Sequence, residues 1–237
     1  MFIELKNIKY AYEENIILDD ISFGIEKGEI TGLIGENGAG KTTTILNLIK
    51  RLIPKSGSIN IDGMDLNNIK IAELKTAYIP DQPVYYEELT LLEHLYFVQA
   101  LYPHNSQNLE KLIEQFELKE HLNKIPSMLS KGTLQKMMIS LALIRNYEFL
   151  IADEPFSGLD PKQIKLLKNI LKENRTKNKA ILISTHLLDL VEELCDKYVM
   201  IHRGQIIANG TKKEIIHEHG LDGLSSLEDI YLSLINK

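Results

Sequence analysis

The spacing of hydrophobic and polar residues predicts strands in the first part of the chain. Residues 2–8 (FIELKNI) and 16–25 (IILDDISFGI) alternate apolar and polar positions, as half-exposed antiparallel strands do. Residues 29–35 (EITGLIG) form a more continuously apolar run that ends in glycine, a pattern typical of a buried strand. We therefore expect an antiparallel β part at the N-terminus, followed by a strand of a buried sheet.

The rest of the chain alternates helical patterns with further short strands. Residues 42–52 (TTTILNLIKRL) have helical spacing, and we expect Pro54 and a turn at residues 55–57 to end that helix. From Leu91 to about Arg145 the spacing is again helical. Further strands are predicted at residues 58–63, 76–80, 148–155, 180–185 and 198–210. The fold class that follows is α/β, with an inserted helical segment.

Length and composition allow one large globular domain or two small ones. The chain has 237 residues, of which 44% are hydrophobic, and it contains no internal repeat or low-complexity segment. This apolar content is enough to build a sizeable core. We predict a single domain over residues 1–237. Residues 1–81 and 146–237 form its α/β core with the antiparallel part, and residues 82–145 form its helical subdomain.

Charge and composition argue against several classes of function. The net charge is −6, whereas general nucleic-acid binders carry an excess of basic residues. A single cysteine, Cys195, excludes an internal disulfide and fits a reducing compartment. The opening MFIELKNIKY has no secretory signal pattern, and no apolar run approaches the roughly 18 to 20 residues that span a bilayer. We expect a soluble protein with no nucleic-acid partner, which reaches a membrane only through another protein.

A complete phosphate-binding motif follows the buried strand at residues 29–35. It reads Gly35-x4-Gly40-Lys41-Thr42. Glycines allow successive backbone N–H groups to surround phosphate oxygens, and the helix that follows directs its positive end at the same anion. Lys41 can reach the β- and γ-phosphates, and the Thr42 hydroxyl can bind Mg²⁺. A glycine turn that merely precedes a helix is the alternative, but the strand–loop–helix context favours a nucleoside triphosphate site.

Two acidic residues, Asp153 and Glu154, end the apolar run FLIA. A carboxylate at the end of a buried strand is costly unless a cation or hydrogen-bond donors lie nearby. Asp153 fits the aspartate that organises Mg²⁺ in phosphate-loop enzymes, and Glu154 fits the base that polarises an attacking water. The alternative is an acidic pair that caps the next turn beside Pro155. The guanine-specific N-K-x-D motif is absent, which argues against a GTPase of the Ras type.

Several single residues have both a structural and a functional interpretation. His186 ends the run LISTH and is either a polar strand end or a hydrogen-bond partner of the γ-phosphate or attacking water. Tyr12 is either an edge-strand aromatic or a platform on which an adenine ring stacks. Asp160, in SGLDP, reads by itself as a turn residue before proline. We expect the other six histidines at the surface.

The stretch SMLSKGTLQKMMISLALI, residues 127–144, contains an amphipathic helix with an unusual start. Its predicted buried face comprises Leu134, Met137, Met138, Leu141 and Ala142. Ser130 is a candidate N-cap. The Ser-Lys-Gly-Thr opening is also compatible with one half of a phosphate-binding site, because a helix N-terminus attracts anions.

The ordered motifs resemble those of the ATP-binding subunits of ABC transporters, over essentially the whole chain. FLIADEP looks like the Walker B motif with its catalytic glutamate, SGLD like the D-loop and STH like the switch histidine. LSKGT occupies the place of the LSGGQ signature. The resemblance implies a P-loop NTPase core with an N-terminal antiparallel β subdomain and an inserted α-helical subdomain. It also implies catalytic roles for Lys41, Glu154 and His186. The nucleotide-binding residues it implies are Tyr12, Gly35, Glu36, Asn37, Gly38, Ala39, Gly40, Lys41, Thr42, Thr43, Ser130, Gly132 and Asp160.

Two motifs depart from the family pattern. In the signature, Lys131 replaces a glycine and Thr133 a glutamine. At the Q-loop, Asp81 follows Pro80 where the family usually has glutamine, and Gln82 comes one residue later. Either Asp81 or Gln82 can fill the metal or water-shell role, beside the metal ligands Thr42 and Asp153. The finer resemblance is to bacterial exporter-type subunits of the Ecs kind.

The resemblance implies an ATPase that uses ATP and Mg²⁺ to energise an exporter. Its expected partners are an integral membrane permease and a second copy of itself, with each ATP held between one phosphate loop and the other signature. Its expected location is the cytoplasmic face of the cell membrane, held there by the permease. The alternatives are a soluble ATPase acting on ribosomes or DNA, and a regulatory module that binds ATP without hydrolysing it. Intact Lys41, Asp153, Glu154 and His186 argue against the second alternative.

Overall fold

A computed structural model describes residues 1–102, 109–221, 223 and 226–236. Within these ranges the strands are β1 (Ile3–Tyr12), β2 (Asn15–Ile25), β3 (Ile30–Ile34), β4 (Ser56–Ile61), β5 (Met64–Asp65), β6 (Thr76–Ile79), β7 (Phe149–Asp153), β8 (Ala180–Thr185), β9 (Lys197–His202) and β10 (Gln205–Gly210). The α-helices are α1 (Lys41–Leu48), α2 (Leu91–Leu101), α3 (Leu109–Gln115), α4 (Lys131–Ile144), α5 (Pro161–Thr176), α6 (Leu188–Val191), α7 (Lys212–His219) and α8 (Leu227–Ile235). Short 3₁₀ turns occur at Leu66–Asn68, Ile71–Glu73, Lys119–His121 and Pro126–Met128.

The strands form two sheets of different type. A four-stranded antiparallel sheet has the order β2-β1-β4-β5. A six-stranded sheet has the order β10-β9-β3-β8-β7-β6, in which all pairs are parallel except β10 with β9. The fold is therefore mixed α/β, and the predicted fold class is confirmed.

The larger sheet is buried on both faces, which is why its strands read as continuous apolar runs. In β8, Ile181 and Ile183 belong to a core cluster shared with α4 and α5. Leu182, between them, belongs to a second cluster shared with β1, β2 and α1. Because side chains alternate along a strand, the antiparallel sheet with α1 covers one face and most helices cover the other.

The helices α2, α3 and α4 all lie between β6 and β7 in chain order. Helix α4 is more deeply buried than an amphipathic helix, because it packs against α2, α3 and β6. The predicted single buried face is wrong in detail: Leu134 and Leu141 are only half-buried, whereas Gln135 and Ile139 are buried. None of the helices in the described ranges has the length and apolar character needed to cross a membrane.

Three predictions about element boundaries in the first part of the chain are wrong. Helix α1 ends at Leu48, because Lys50 adopts the left-handed conformation (φ 59°) and stops the helix before Pro54. The turn predicted at residues 55–57 is instead the start of β4 at Ser56, which pairs with Lys9 of β1. Strand β1 also continues beyond its predicted end to Tyr12, because β2 pairs with it along its length.

Candidate functional site

The loop between β3 and α1 has the shape of an anion cradle. Gly40 is the N-cap of α1, and its φ of 111° lies in the region that favours glycine. The Lys41 side chain is only 6% exposed, and its Nζ donates to the carbonyl oxygens of Gly35 at 2.7 Å and Glu36 at 3.2 Å. The loop carbonyls therefore hold the ammonium group beside the backbone N–H groups that open α1, where it can transfer to phosphate oxygens.

Asp153 lies fully buried at the end of β7. Its Oδ2 accepts a hydrogen bond of 2.9 Å from the Thr42 hydroxyl, and its Oδ1 accepts a short one from Ser184. Burial raises the pKa of Asp153, against the lowering effect of these hydrogen bonds, and the negative charges of Asp81 and Glu154 raise it further. A buried carboxylate in this state is stabilised by a cation.

The oxygens around Asp153 fit Mg²⁺. Thr42 and Asp153 offer hard oxygen donors on neighbouring atoms, which is the donor type that Mg²⁺ prefers. In the part of the chain that the structure describes, no group of three or more His, Cys, Asp or Glu residues is arranged to hold a metal ion. Phosphate and water oxygens would therefore complete the coordination, as is usual for Mg²⁺ with a nucleotide.

Glu154 follows in a constrained backbone conformation. Its φ is 46°, which is uncommon for a residue with a side chain, and its N–H donates to the carbonyl oxygen of Ser184 at 3.0 Å. Its carboxylate receives the Thr185 hydroxyl at 3.0 Å and the His186 backbone N–H at 3.1 Å, and the His186 Nδ1 lies 2.8 Å away. Lys41 Nζ lies 3.7 Å from the same carboxylate. Both carboxylate oxygens are thus oriented by the end of β8.

A cavity of about 280 Å³ brings most of the predicted site residues together. Its lining residues are Tyr12, Ile17, Asn37, Gly38, Gly40, Lys41, Thr42, Thr43, Asp81, Asp153 and Glu154. Tyr12 is 48% exposed at the end of β1 and packs edge-on against Tyr10, with ring centroids 5.0 Å apart. The cavity therefore has a phosphate-binding loop, a carboxylate wall and an accessible aromatic ring, which are the chemical parts of a nucleotide site.

Several predicted site residues do not line this cavity. Ala39 is buried beneath the loop, and Glu36 contributes its carbonyl oxygen to Lys41. The predicted residues outside the lining are Gly35, Glu36, Ala39, Gln82, Ser130, Gly132, Asp160 and His186. Their proposed roles therefore depend on contacts through neighbours, or on a second molecule.

Asp81 and Gln82 differ in what they face. Asp81 lines both the nucleotide cavity and a larger neighbouring cavity of about 540 Å³, whereas Gln82 lines only the larger one. The Gln82 amide donates to the Asp81 carboxylate at 3.1 Å. Of the two candidate Q-loop residues, Asp81 has the direct access to the nucleotide cavity.

The signature segment starts α4 away from the cavity. The Ser130 hydroxyl accepts from the Thr133 N–H at 3.2 Å, so Ser130 is the N-cap of this helix. Its hydroxyl also lies 2.9 Å from the Thr133 hydroxyl. Gly132 packs against the segment after Glu154, because a Cβ there would lie 2.6 Å from the carbonyl oxygen of Gly158. Ser130 and Lys131 remain exposed at the helix N-terminus.

The segment that follows Glu154 is held by helices α4 and α5. The Gln135 amide of α4 donates to the carbonyl oxygen of Pro155 at 3.0 Å in a buried position. Asp160 is the N-cap of α5, and its carboxylate accepts from the Gln163 N–H at 2.9 Å. Helix α4 is therefore joined directly to the chain beside Glu154.

Sequence reasoning missed Ser184, Thr185 and Gln135. The first two immediately precede His186, and Ser184 pairs with Asp153 where parallel strands β7 and β8 end together. The shared end of two adjacent strands could have indicated them. Gln135 has no such local signal, because its partner lies 20 residues away on another element.

The prediction that His94 lies at the surface is wrong. It is 3% exposed, its Nε2 accepts from the Tyr86 N–H at 3.0 Å, and its Nδ1 lies 2.8 Å from the Thr90 carbonyl oxygen. The ring therefore holds the loop before α2 in place. Another of the six histidines, His104, lies outside the described residues.

Comparison with known proteins assigns the family. Residues 18–157 match the family model described as ABC transporter. The chain is 37% identical over 237 residues to the ABC-type transporter ATP-binding protein EcsA of Bacillus subtilis (strain 168), covering 98% of this chain and 96% of that protein. It is 33% identical to the SkfA peptide export ATP-binding protein SkfE of the same organism, covering 86% and 87%. A solved structure described as the ATP binding subunit of an ABC transporter matches with a TM-score of 0.91 and 38% identity, covering 99% and 100%.

The chain belongs to the ABC transporter ATP-binding family. Proteins of this class are ATPases that energise a transporter, and ATP is the nucleotide they bind. The family resemblance drawn from the ordered motifs is thereby confirmed. The individual roles of the site residues remain predictions.

Proposed function

We propose that this chain is the ATP-hydrolysing subunit of an exporter, in which two copies close on two ATP molecules beside a membrane permease. One observation carries the proposal: Lys41, Thr42, Asp153 and Glu154 line one cavity, while the signature helix starts outside it. The cavity has the groups that hydrolysis needs, and the exposed signature has an anion site with no phosphate of its own chain to bind.

Hydrolysis follows from the positions of these side chains. Lys41 moves its ammonium group from the loop carbonyls to the β- and γ-phosphates. Thr42 and Asp153 would hold Mg²⁺, which would neutralise phosphate charge. Glu154 takes a proton from the attacking water while the water oxygen bonds to the γ-phosphorus and the bond to the ADP oxygen breaks. His186, at 2.8 Å from Glu154, orients that carboxylate. The products are ADP and phosphate.

The signature serves the ATP of the second copy. Exposed Ser130 and the first N–H groups of α4 can bind the γ-phosphate of a nucleotide presented by another chain. Gly132 and Gln135 tie this helix start to the chain after Glu154 of the same copy. Binding of the second copy's ATP at the signature therefore acts, through α4, on the chain beside Glu154 in the first copy's own nucleotide site. Lys131 adds a cation at the same helix start.

An exposed apolar surface supports docking of a membrane permease. The large cavity of about 540 Å³ opens between α1, β6, α2 and α4, and Val84 and Leu101 both line it and remain exposed. The neighbouring residues Tyr85, Tyr86, Tyr96 and Phe97 are also exposed, and the rings of Tyr86 and Phe97 pack edge-on with centroids 5.7 Å apart. Contiguous exposed apolar groups mark protein interaction sites. A helix of the permease on this surface would contact Asp81, which also lines the nucleotide cavity.

The chain acts as one domain over residues 1–237, in which residues 82–145 form a helical subdomain that carries motion to the permease.

Similarity to a subunit named for peptide export favours export over import. Binding to the permease places the subunit on the cytoplasmic face of the cell membrane. The groups for hydrolysis at the cavity favour an active ATPase over a regulatory module, and the acidic charge argues against action on ribosomes or DNA.

The test combines purification with a substitution on the apolar surface. Tagged protein is purified from solubilised membranes, and phosphate release and co-purifying proteins are measured. We expect ATP hydrolysis and a co-purifying polytopic protein that is lost in Phe97→Ser. Ile53→Ser, which changes an exposed apolar residue elsewhere, should retain it. ATP binding without phosphate release would favour the regulatory module, and recovery of ribosomal proteins or nucleic acid would contradict the transporter proposal.

A further inference from the structure

The C-terminal helix α8 places a buried tyrosine hydroxyl against the phosphate loop. Tyr231 is 5% exposed. Its hydroxyl accepts from the Glu36 N–H at 3.2 Å and donates to the carbonyl oxygen of Ile201, at the end of β9, at 3.3 Å. The hydroxyl is thus paired both as acceptor and as donor, and it connects residues far apart in the chain.

The peptide group that donates its N–H to Tyr231 is the same one whose carbonyl oxygen accepts from Lys41. The N–H of Glu36 and the carbonyl of Gly35 belong to one planar peptide unit. Its carbonyl oxygen accepts from Lys41 Nζ at 2.7 Å, and its N–H donates to Tyr231 at 3.2 Å. The plane of this peptide, and therefore the direction of the carbonyl that holds the ammonium group, is fixed from both sides.

Helix α8 is itself anchored by the chain that follows His186. The Leu227 N–H, at the first turn of α8, donates to the Glu192 carboxylate at 3.2 Å. Glu192 follows the end of α6, and its carboxylate also pairs with Lys212 of α7. The apolar residues Leu227, Ile230 and Leu234 bury the inner face of α8 in the main core cluster. Tyr231 therefore lies on a helix that both polar and apolar contacts hold in place.

We propose that Tyr231 is a positioning residue of the nucleotide site, acting on Lys41 through the peptide between Gly35 and Glu36. The inference rests on the proposed function of this cavity as an ATP site. Because Tyr231 orders the loop before nucleotide arrives, its hydroxyl lowers the conformational cost of binding. The hydroxyl touches neither the cavity nor the expected reacting atoms, so it acts on affinity and leaves the chemical step unchanged.

The test is Tyr231→Phe, with Tyr147→Phe as the matched control. Tyr231→Phe keeps the buried ring and removes only the hydroxyl. Tyr147 also has a buried hydroxyl, but that hydroxyl has no hydrogen-bond partner among the described residues. We expect a roughly fivefold weaker Kd for ATP in Tyr231→Phe, the size of one net hydrogen bond. The KM for ATP should rise in parallel, and kcat should stay within about twofold. Tyr147→Phe should have the Kd, KM and kcat of the wild type.

Hydrogen exchange at the Glu36 amide gives a readout that is independent of ATP. We expect exchange without nucleotide to be faster in Tyr231→Phe than in the wild type and in Tyr147→Phe. A lower Tm with unchanged Kd would show a merely structural role and overturn the inference, as would a loss confined to kcat. A wild-type chain that fails to bind ATP would overturn the proposed function as well. If the wild type binds ATP and Tyr231→Phe binds it with the same Kd, this inference alone would be overturned.

Discussion

The Nδ1 atom of His186 lies 2.8 Å from Oε1 of Glu154, and the His186 backbone N–H donates to the same oxygen at 3.1 Å. A residue from the end of β8 therefore orients a carboxylate from the end of β7 through two contacts. The second carboxylate oxygen accepts from Thr185. Lys41 Nζ lies 3.7 Å from the oxygen that His186 contacts, so three residues hold this candidate base in one direction.

Glu154→Gln should abolish turnover and preserve ATP binding. The amide keeps the shape of the side chain but cannot accept a proton from water, and loss of a general base lowers rates by about 10²- to 10⁴-fold. Phosphate release and nucleotide titration measure the two effects. With ATP at millimolar concentration the variant should accumulate as a dimer in size-exclusion chromatography. A variant that stays monomeric under these conditions contradicts the ATP-sandwich dimer. Glu173→Gln, at an exposed position on α5, is the control and should retain full activity.

Lys41→Ala should weaken nucleotide binding itself. The Lys41 ammonium group is buried against the carbonyl oxygens of the phosphate loop, and a hydrogen bond from a charged group contributes about 1.5–3 kcal/mol. The Kd for ATP should therefore rise by about 10- to 100-fold in a fluorescent-nucleotide titration. Lys165→Ala, on the exposed side of α5, should leave it unchanged. An unaltered Kd in Lys41→Ala would remove the phosphate-loop assignment.

Ser130→Ala should reduce ATP hydrolysis by the dimer and leave ATP binding by the monomer intact. The substitution removes the N-cap of α4, at a cost of about 1 kcal/mol of stability, and the hydroxyl offered to the second copy's ATP. Hydrolysis should fall while the ATP affinity of the monomer is retained. Thr211→Ala, which removes the N-cap of α7, controls for loss of a cap alone. If Ser130→Ala abolishes monomer binding, the proposed role in trans is wrong.

Asp153→Asn should stabilise the nucleotide-free protein at pH 7 while weakening Mg²⁺-dependent hydrolysis. The pKa of Asp153 is raised above its ordinary value in the folded state, mainly by burial, so its ionised form costs stability at neutral pH. We expect a gain of about 1 kcal/mol in the free energy of unfolding, a common size for a stabilising substitution.

The sign of the pH dependence checks this explanation. As pH falls through the raised pKa, the wild-type carboxyl is protonated and its cost disappears, so the advantage of the variant should shrink. Urea unfolding at neutral and acidic pH, without Mg²⁺ or nucleotide, measures the difference. If the stability advantage of Asp153→Asn grows as the pH falls, the explanation by a raised Asp153 pKa is refuted.

Asp81→Asn should impair the Mg²⁺ dependence of hydrolysis more than Gln82→Ala. Asp81 lines the nucleotide cavity and Gln82 does not, although the two side chains are hydrogen-bonded. Removing the charge of Asp81 should raise the Mg²⁺ concentration at half-maximal rate several-fold, since hard cations prefer carboxylate oxygens. Titration of Mg²⁺ at saturating ATP tests this. The reverse order of effects would assign the Q-loop role to Gln82.

The sequence by itself determined most of the strands, the phosphate loop and the acidic pair, although it did not separate β9 from β10 or predict β5. These features depend on alternation within a strand, on glycine dihedrals and on neighbouring side chains, all of which act over a few residues. The same local reasoning placed the end of α1 at Pro54 too late, because Lys50 stops the helix first.

The tertiary structure decided which distant groups meet. Sheet register places Ser184 beside Asp153, and packing of α8 brings Tyr231 to Glu36, 195 residues away. The burial of His94 also depends on a loop that closes over it. No local pattern encodes these contacts, because they arise from burying apolar faces of separate elements against each other. For Ser130 the sequence left a cap and an anion site open, and the structure established the cap.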